Sequence, residues 1–179
     1  MVAQFRRARK GGVSVTFGQA ETRILRHILE EMLELFGPED APSDDPLAAA
    51  LGIGTSTTAP TDPALARLFP DGYTDDPEAS ADFRRYTETG LRDTKRAAAR
   101  TALESIGEPG VRQVLDLEQA QAWLRALNDT RLVLGQRLGV TEDFEELIAS
   151  LEEDDPRLGM LWVYDRLTYL QESLVRALW

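Results

Sequence analysis

The sequence predicts a mainly α-helical (α+β) domain with an N-terminal β-hairpin, and three features support this fold class. Four long segments carry apolar residues at steps of three and four, the spacing that places them on one helix face. A Gly-Gly pair near the N-terminus separates two short segments of strand character, as in a tight hairpin. Asp-Pro occurs four times, and this pair commonly supplies the N-cap and the first residue of a helix.

The hairpin is predicted over residues 1–17. It consists of FRRARK, the turn Gly11-Gly12 and VSVTF. Val13, Val15 and Phe17 alternate with polar residues, and this period of two predicts that one face of the second strand is buried.

A helix is predicted next, over residues 19–36, and Gly37-Pro38 ends it. Residues 37–62 are rich in Pro, Asp, Gly and Thr, so we expect a linker-like loop within a single domain of residues 1–179. The GIGTST segment at residues 52–57 lacks the lysine, the third glycine and the preceding strand that a phosphate-binding loop requires.

The remaining Asp-Pro pairs predict where further helices start. Short helices are expected after Asp45 and Asp62, and long helices after Asp76 and Asp155. Between the two long helices, VRQVLDL at residues 111–117 predicts a third short strand, which could join the hairpin in a small sheet.

The segment after this strand predicts a long helix with a complete start signal. Asp116 is a suitable N-cap, and Gln119 stands three residues on, a variant of the capping box. Apolar residues then recur at helical spacing up to Gly139. Thr141 is expected to cap a short acidic helix that ends near Leu151.

Composition bounds the class of protein. The 179 residues are 42% hydrophobic and 28% charged, as in an ordinary globular protein with one core. No apolar run approaches the roughly 18 residues of a membrane span, and no secretory signal follows the basic N-terminus. We therefore expect a cytoplasmic protein. Because there is no cysteine, thiol catalysis, disulfides and thiolate metal sites are excluded.

The charge is strongly negative and unevenly spread. A net charge of −11 argues against non-specific binding of nucleic acid by the whole surface. Eight acidic residues lie between residues 39 and 76 and eight more between 142 and 155, whereas the first ten residues carry four positive charges. This distribution leaves room for local anion binding, and it also fits acidic loops that only keep the protein in solution.

The sequence contains no pattern typical of an active site. Its one histidine, His27, lies off the apolar stripe of its helix, which favours a solvated side chain. Asp71, Asp75 and Asp76 could hold a cation, but two of them lie at a predicted helix cap, so capping is favoured. We therefore predict no catalytic, cofactor-binding or metal-binding residues and a non-enzymatic protein.

The helix after Asp76 predicts a basic ridge. Four of its arginines fall within about sixty degrees of one another on a helical wheel, and the opposite face carries groups that suit helix packing: Phe83, Gly90, Leu91, Thr94, Ala97 and Ala98. The ridge and the basic hairpin together give the candidate anion- or DNA-binding residues: Arg6, Arg7, Arg9, Lys10, Arg85, Arg92, Arg96 and Arg100. The alternative is a solvated ridge that pairs with the acidic loops of the same chain.

Polar residues interrupt the apolar stripe of the helix after Asp116. Arg131 lies within the stripe, with Asn128 and Asp129 close to it. Because a charge at such a position needs a partner, the three predict a structural polar network between helices. The alternative is that they bind the carboxylate of a ligand.

The final helix is apolar around most of its circumference, which predicts burial on more than one side. A homodimer would provide this burial, with Trp162, Tyr169 and Trp179 at the interface. The alternative is a central helix that is wholly covered by its own chain.

Two segments carry a family resemblance. LFPDGYTDDPEA at residues 68–79 and WLRALNDTRLVLGQRLG at residues 123–139 resemble the actinobacterial AosR-like (oxidative stress regulator-like) family, formerly a domain of unknown function. The resemblance implies a regulatory protein without enzymatic activity that acts on transcription through a protein partner or DNA. The alternative is an adaptor or scaffold for neighbouring proteolysis or cysteine-synthesis proteins, without DNA contact.

Family regulators are described as sensing oxidants through a cysteine pair, and this chain has no cysteine. Thiol–disulfide exchange requires a thiolate, so we expect peroxide to leave the electrophoretic mobility and the binding of the purified protein unchanged. Only slow oxidation of Met1, Met32 or Met160 is expected. A reversible response to peroxide in non-reducing gels would contradict this.

Overall fold

The computed structural model describes residues 3–9, 11–37 and 57–179, and it confirms the predicted fold class: mainly α with a small antiparallel sheet. The elements in chain order are β1 (Arg6–Arg7), β2 (Val13–Val15), α1 (Gln19–Phe36), α2 (Pro63–Leu68), α3 (Pro77–Glu104), β3 (Gln113–Leu115), α4 (Leu117–Leu138), α5 (Phe144–Ala149) and α6 (Leu158–Leu178). The predicted helix after Asp45 and most of the predicted 37–62 loop lie outside the described residues. No helix in the described ranges has the length and hydropathy of a membrane span.

The sheet has the order β1-β2-β3, so the expectation that the third strand joins the hairpin is confirmed. Both pairs are antiparallel, with Arg7 opposite Val13 and Val13 opposite Leu115. The turn needs its glycines, because Gly12 has a φ of 75° and a Cβ there would meet the Leu115 carbonyl oxygen at 2.2 Å.

Local signals place most helix ends correctly. Asp116 Oδ1 accepts from the Gln119 backbone at 2.8 Å, and Gln119 Oε1 accepts from the Asp116 backbone at 3.1 Å, as a capping box requires. Gly139 ends α4 with a φ of 68°. Asp62 and Asp76 both cap helices, accepting from backbone N–H groups at 2.7 and 3.0 Å.

Two predicted helix starts are wrong. α5 begins at Phe144, after Asp143 rather than Thr141, and its acidic first turn suits the positive end of the helix dipole. α6 begins at Leu158, because Asp155 does not cap it. The Asp155 carboxylate instead accepts from the backbone and guanidinium of Arg157, at 2.8 Å each, which lowers the pKa of Asp155.

Helix α4 is central and packs against α2, α3 and α6. The main core is centred on Trp123, whose ring lies 5.7 and 5.5 Å from the Phe5 and Phe17 rings, so that α4 is joined to the sheet. The indole Nε1 donates to Ser105 Oγ at 2.7 Å, which satisfies the polar atom of this buried side chain. A second cluster, around Phe36 and residues of α2, completes the interior.

Candidate functional site

Helix α3 is rotated relative to the predicted orientation, so the expected outer basic ridge is wrong. Arg96 is buried and Arg92 is mostly buried. Arg92 donates to the Phe36 carbonyl at 3.0 Å and to Glu88 Oε1 at 2.7 Å, and Arg96 donates to Asp93 Oδ1 at 2.6 Å. Inside the fold, the Phe36 carbonyl at the end of α1 accepts from both arginines and the buried Glu88 carboxylate pairs with Arg92, whereas Asp93, the partner of Arg96, is exposed.

A third inward arginine, Arg84, was not singled out in the sequence. It is 4% exposed and donates to Glu88 Oε2 at 2.5 Å, Asp71 Oδ1 at 2.7 Å and the Phe69 carbonyl at 3.2 Å. Burial by itself lowers the pKa of Arg84, but the hydrogen bonds and charges of Glu88 and Asp71 outweigh it and raise the pKa. The Arg84–Glu88–Arg92 spacing of four residues was the signal that could have revealed this network.

Arg84 and Ser80 together hold the loop between α2 and α3 against the start of α3. Ser80 Oγ accepts from the Tyr73 backbone N–H at 3.0 Å and donates to its carbonyl at 2.6 Å. Gly72 lies so close to the Phe83 ring that a Cβ there would approach it to 2.6 Å. The Tyr73 and Phe83 rings meet edge to face at 6.2 Å. The loop therefore presents its aromatic residue in one fixed position.

The outward side of α3 carries an exposed aromatic surface. Tyr86 is 61% exposed, and Tyr73 and Phe83 are also exposed. Gly90, one turn beyond Tyr86, has no atom within 4 Å of its hypothetical Cβ, so another chain could approach the backbone closely there. We name Tyr73, Phe83, Tyr86 and Gly90 the α3 aromatic face. Phe83 and Gly90 of this surface belong to the six residues that were predicted to pack inside the protein. Of those six residues, only Ala98 is buried.

The remaining predicted anion-binding residues do not form one ridge. Arg85 and Arg100 are exposed on α3, and Arg85 lies 3.8 Å from Asp82. Arg6, Arg7 and Arg9 are exposed on the hairpin, where Arg6 and Arg7, as consecutive strand residues, point to opposite faces. Lys10 lies outside the described residues.

The three carboxylates that were considered as metal ligands do not converge on one site. Asp71 pairs with Arg84, Asp76 caps α3, and Asp75 is exposed. His27 is exposed, as expected. Within the described ranges, no three His, Asp or Glu side chains are grouped closely enough to hold a metal ion.

The polar residues of α4 reach three different places. Asp129 is buried and accepts from Lys95 Nζ at 2.7 Å, which joins α4 to α3. Arg131 instead reaches α6, where Nη1 donates to Gln171 Oε1 at 2.7 Å. Asn128 is exposed. Two of the three residues thus link helices, but they do not share one network.

Helix α6 is buried on one side only. Leu161, Leu167, Leu170 and Leu174 are buried within the chain, whereas Trp162 and Trp179 are 78% and 82% exposed. Tyr169 is also exposed, and its hydroxyl is hydrogen-bonded to the Gln4 amide.

An apolar groove of about 430 Å³ runs beside Trp162, between α1 and α6. Ile24, Trp162 and Val163 contribute to its walls. At its margin Arg166 Nε donates to Glu21 Oε1 at 2.8 Å, so the groove is bordered by charges of both signs. We call this surface the α1/α6 groove.

Comparisons with known proteins identify the family of this chain. The family model described as "Domain of unknown function (DUF2017)" matches residues 2–178. The oxidative stress regulators AosR of Mycobacterium bovis and Mycobacterium tuberculosis are each 35% identical over 173 residues, covering 88% of this chain and 78% of theirs. A Mycobacterium leprae protein that carries the AosR name is 33% identical over the same shares. No solved structure matches significantly. The chain therefore belongs to the actinobacterial AosR-like family, DUF2017.

Proposed function

We propose that this protein is a non-enzymatic regulator that acts on transcription by binding a protein partner through the α3 aromatic face. The observation that carries the proposal is that Phe83, Tyr86 and Gly90 are exposed on the outside of α3. Their spacing along the helix places them on one side, where they could pack against another helix. The names of the mycobacterial relatives support a regulatory role.

The chemistry of this surface favours a protein over a nucleic acid. Exposed aromatic side chains held in fixed positions are typical of the residues that dominate binding energy at protein interfaces. Two of the four arginines that would have faced DNA from α3, Arg92 and Arg96, are turned inward, and the net charge of −11 repels a phosphate backbone. The partner expected is a protein that offers an apolar helix or groove.

We predict that Gly90→Arg abolishes partner capture without loss of stability. The new side chain would block close approach, while arginine favours a helix by about 0.8 kcal/mol over glycine. The measurement is affinity capture from native lysate with identification by mass spectrometry, alongside thermal unfolding. The matched control is Gln121→Arg, which adds the same side chain to the exposed side of α4.

The proteins captured by the wild type and lost with Gly90→Arg separate the alternatives. A component of the transcription machinery supports the regulator, whereas a protease adaptor or a cysteine-synthesis enzyme supports the scaffold alternative. Equal capture by Gly90→Arg and the wild type would remove the α3 aromatic face from the proposal.

Binding of DNA through the hairpin is a second candidate function. It is supported by the exposure of Arg6, Arg7 and Arg9 and by the lack of acidic residues in the sequence before Glu21. If all three contact phosphates, the logarithm of the binding constant should fall with the logarithm of salt concentration with a slope of about −3. Replacing the three by alanine should abolish binding, whereas Arg125→Ala, on the exposed side of α4, should leave it intact. Binding that is insensitive to salt would exclude this contact.

We further propose that the α1/α6 groove forms a homodimer interface. A two-fold interface brings one patch against itself. The centre of this patch is apolar, and its marginal charges, Glu21 and Arg166, already pair with each other, so a second copy would meet an apolar surface without net charge. Elsewhere, acidic loops would repel a second acidic copy.

Light scattering at micromolar concentration tests the dimer. The wild type should have twice the 19.9 kDa mass of one chain, and Trp162→Ala should shift it to a single chain. Trp179→Ala removes an equally exposed tryptophan that does not line the groove. It should leave the dimer intact, because the proposed interface is the α1/α6 groove. A wild-type mass near 20 kDa would reject the dimer.

A further inference from the structure

We infer that a pocket between α2, α4 and α6 binds a small oxyanion, the carboxylate or phosphate group of a soluble molecule, through Arg131 and Arg67. The pocket has a volume of about 290 Å³, and both arginines line it together with Tyr164, Gln136 and Thr141. This volume is close to the lower end of small-molecule sites, which suits a ligand of few atoms.

The Arg131 guanidinium is held in a fixed position. Its Nε donates to Thr168 Oγ1 at 2.9 Å, its Nη1 to Gln171 Oε1 at 2.7 Å and its Nη2 to the Tyr164 hydroxyl at 3.4 Å. The Tyr164 ring lies 5.3 Å below the guanidinium carbon. Because α6 supplies all of these partners, the arginine is oriented before any ligand arrives.

The partners of Arg131 are all neutral, which distinguishes it from Arg84, Arg92 and Lys95. Arg84, Arg92 and Lys95 each have a carboxylate within 2.7 Å. In the ranges that the structure describes, no carboxylate lies within 4.0 Å of a side-chain nitrogen of Arg131 or Arg67. The pocket therefore holds two positive charges with no described counter-charge.

An oxyanion is the ligand that this arrangement selects. A guanidinium offers parallel N–H groups that match the oxygens of a carboxylate or phosphate. The hydroxyl groups of Tyr164 and Thr141 and the amide of Gln136 can donate further hydrogen bonds within the same pocket. A neutral or cationic molecule would leave the partly buried Arg131 guanidinium without a counter-charge.

Nuclear magnetic resonance titration tests the inference. Sodium phosphate and sodium acetate are added separately to ¹⁵N-labelled protein, with sodium chloride holding the ionic strength constant. We expect saturable shifts of the Arg131 Nε–H signal and of the Gly135 and Gly139 amides. A response to phosphate alone identifies a phosphate group as the ligand, and a response to acetate alone identifies a carboxylate.

Arg67→Gln and Arg131→Gln should each weaken anion binding about tenfold or more, because each removes a charged donor. Arg67 is exposed, so its variant keeps the fold and tests the pocket even if Arg131→Gln is destabilised. Arg125→Gln, an exposed arginine elsewhere on α4, is the matched control and should bind like the wild type. No saturable shift with either anion, or unchanged affinity in Arg67→Gln and Arg131→Gln, would overturn the inference.

Discussion

Trp123→Ala is expected to lower the free energy of unfolding by about 4 kcal/mol, the middle of the range for truncating a buried aromatic side chain. Trp123 is 1% exposed and packs against the Phe5 and Phe17 rings, so its loss leaves a cavity where α4 meets the sheet. It also leaves Ser105 Oγ without the indole donor. Urea denaturation followed by circular dichroism measures the change.

Trp162→Ala provides the matched control. It removes the same side chain from a position that is 78% exposed, so the stability of a single chain should change by less than about 0.5 kcal/mol. The comparison is made at a concentration where the protein is monomeric, because a dimer would add its own stabilisation. Similar losses for the two tryptophans would contradict the assigned core.

Arg84→Met should lower the free energy of unfolding by about 3 kcal/mol, the lower end of the range for breaking a buried ion pair. The methionine fills similar space but leaves the Glu88 carboxylate buried with only Arg92 as a charged partner. It also frees Asp71 and the Phe69 carbonyl, which hold the loop before α3. Chemical denaturation measures the loss.

Arg85→Met, at the adjacent position, is the control for Arg84→Met. Arg85 is exposed and lies 3.8 Å from Asp82, so its replacement should cost less than about 0.5 kcal/mol. If Arg84→Met is no more destabilising than Arg85→Met, the buried network does not stabilise the fold.

Features that depend on neighbouring residues could be predicted from the sequence. The Gly11-Gly12 turn, the Asp116–Gln119 capping box and the stop at Gly139 depend on backbone geometry and on side chains a few residues away. The third strand was also predicted correctly, and its one buried apolar residue, Leu115, lies opposite Val13 of the hairpin. The starts of α5 and α6 were wrong, because neither helix begins with a side chain that accepts a capping hydrogen bond.

Most of the candidate site could not be predicted from neighbouring residues, because it depends on how α3 is oriented. A helical wheel shows which residues of α3 share a side, but it does not show which side meets the core. Arginines at helical spacing were therefore assigned to solvent, and Phe83, Gly90 and Leu91 to the interior. For Arg92 and Arg96 the reverse is found, because the buried Glu88 carboxylate and the Phe36 carbonyl accept their hydrogen bonds inside the fold.

The sequence by itself determined the fold class, the hairpin, the order of the helices and the absence of thiol chemistry, since these follow from residue types and short-range spacing. Only the tertiary structure decided which charges are compensated. Arg84 has two carboxylates around it, whereas Arg131 has only neutral partners among the described residues. That difference depends on which distant segments meet each side chain, because ion pairs form between residues that are close in space, whatever their separation along the chain.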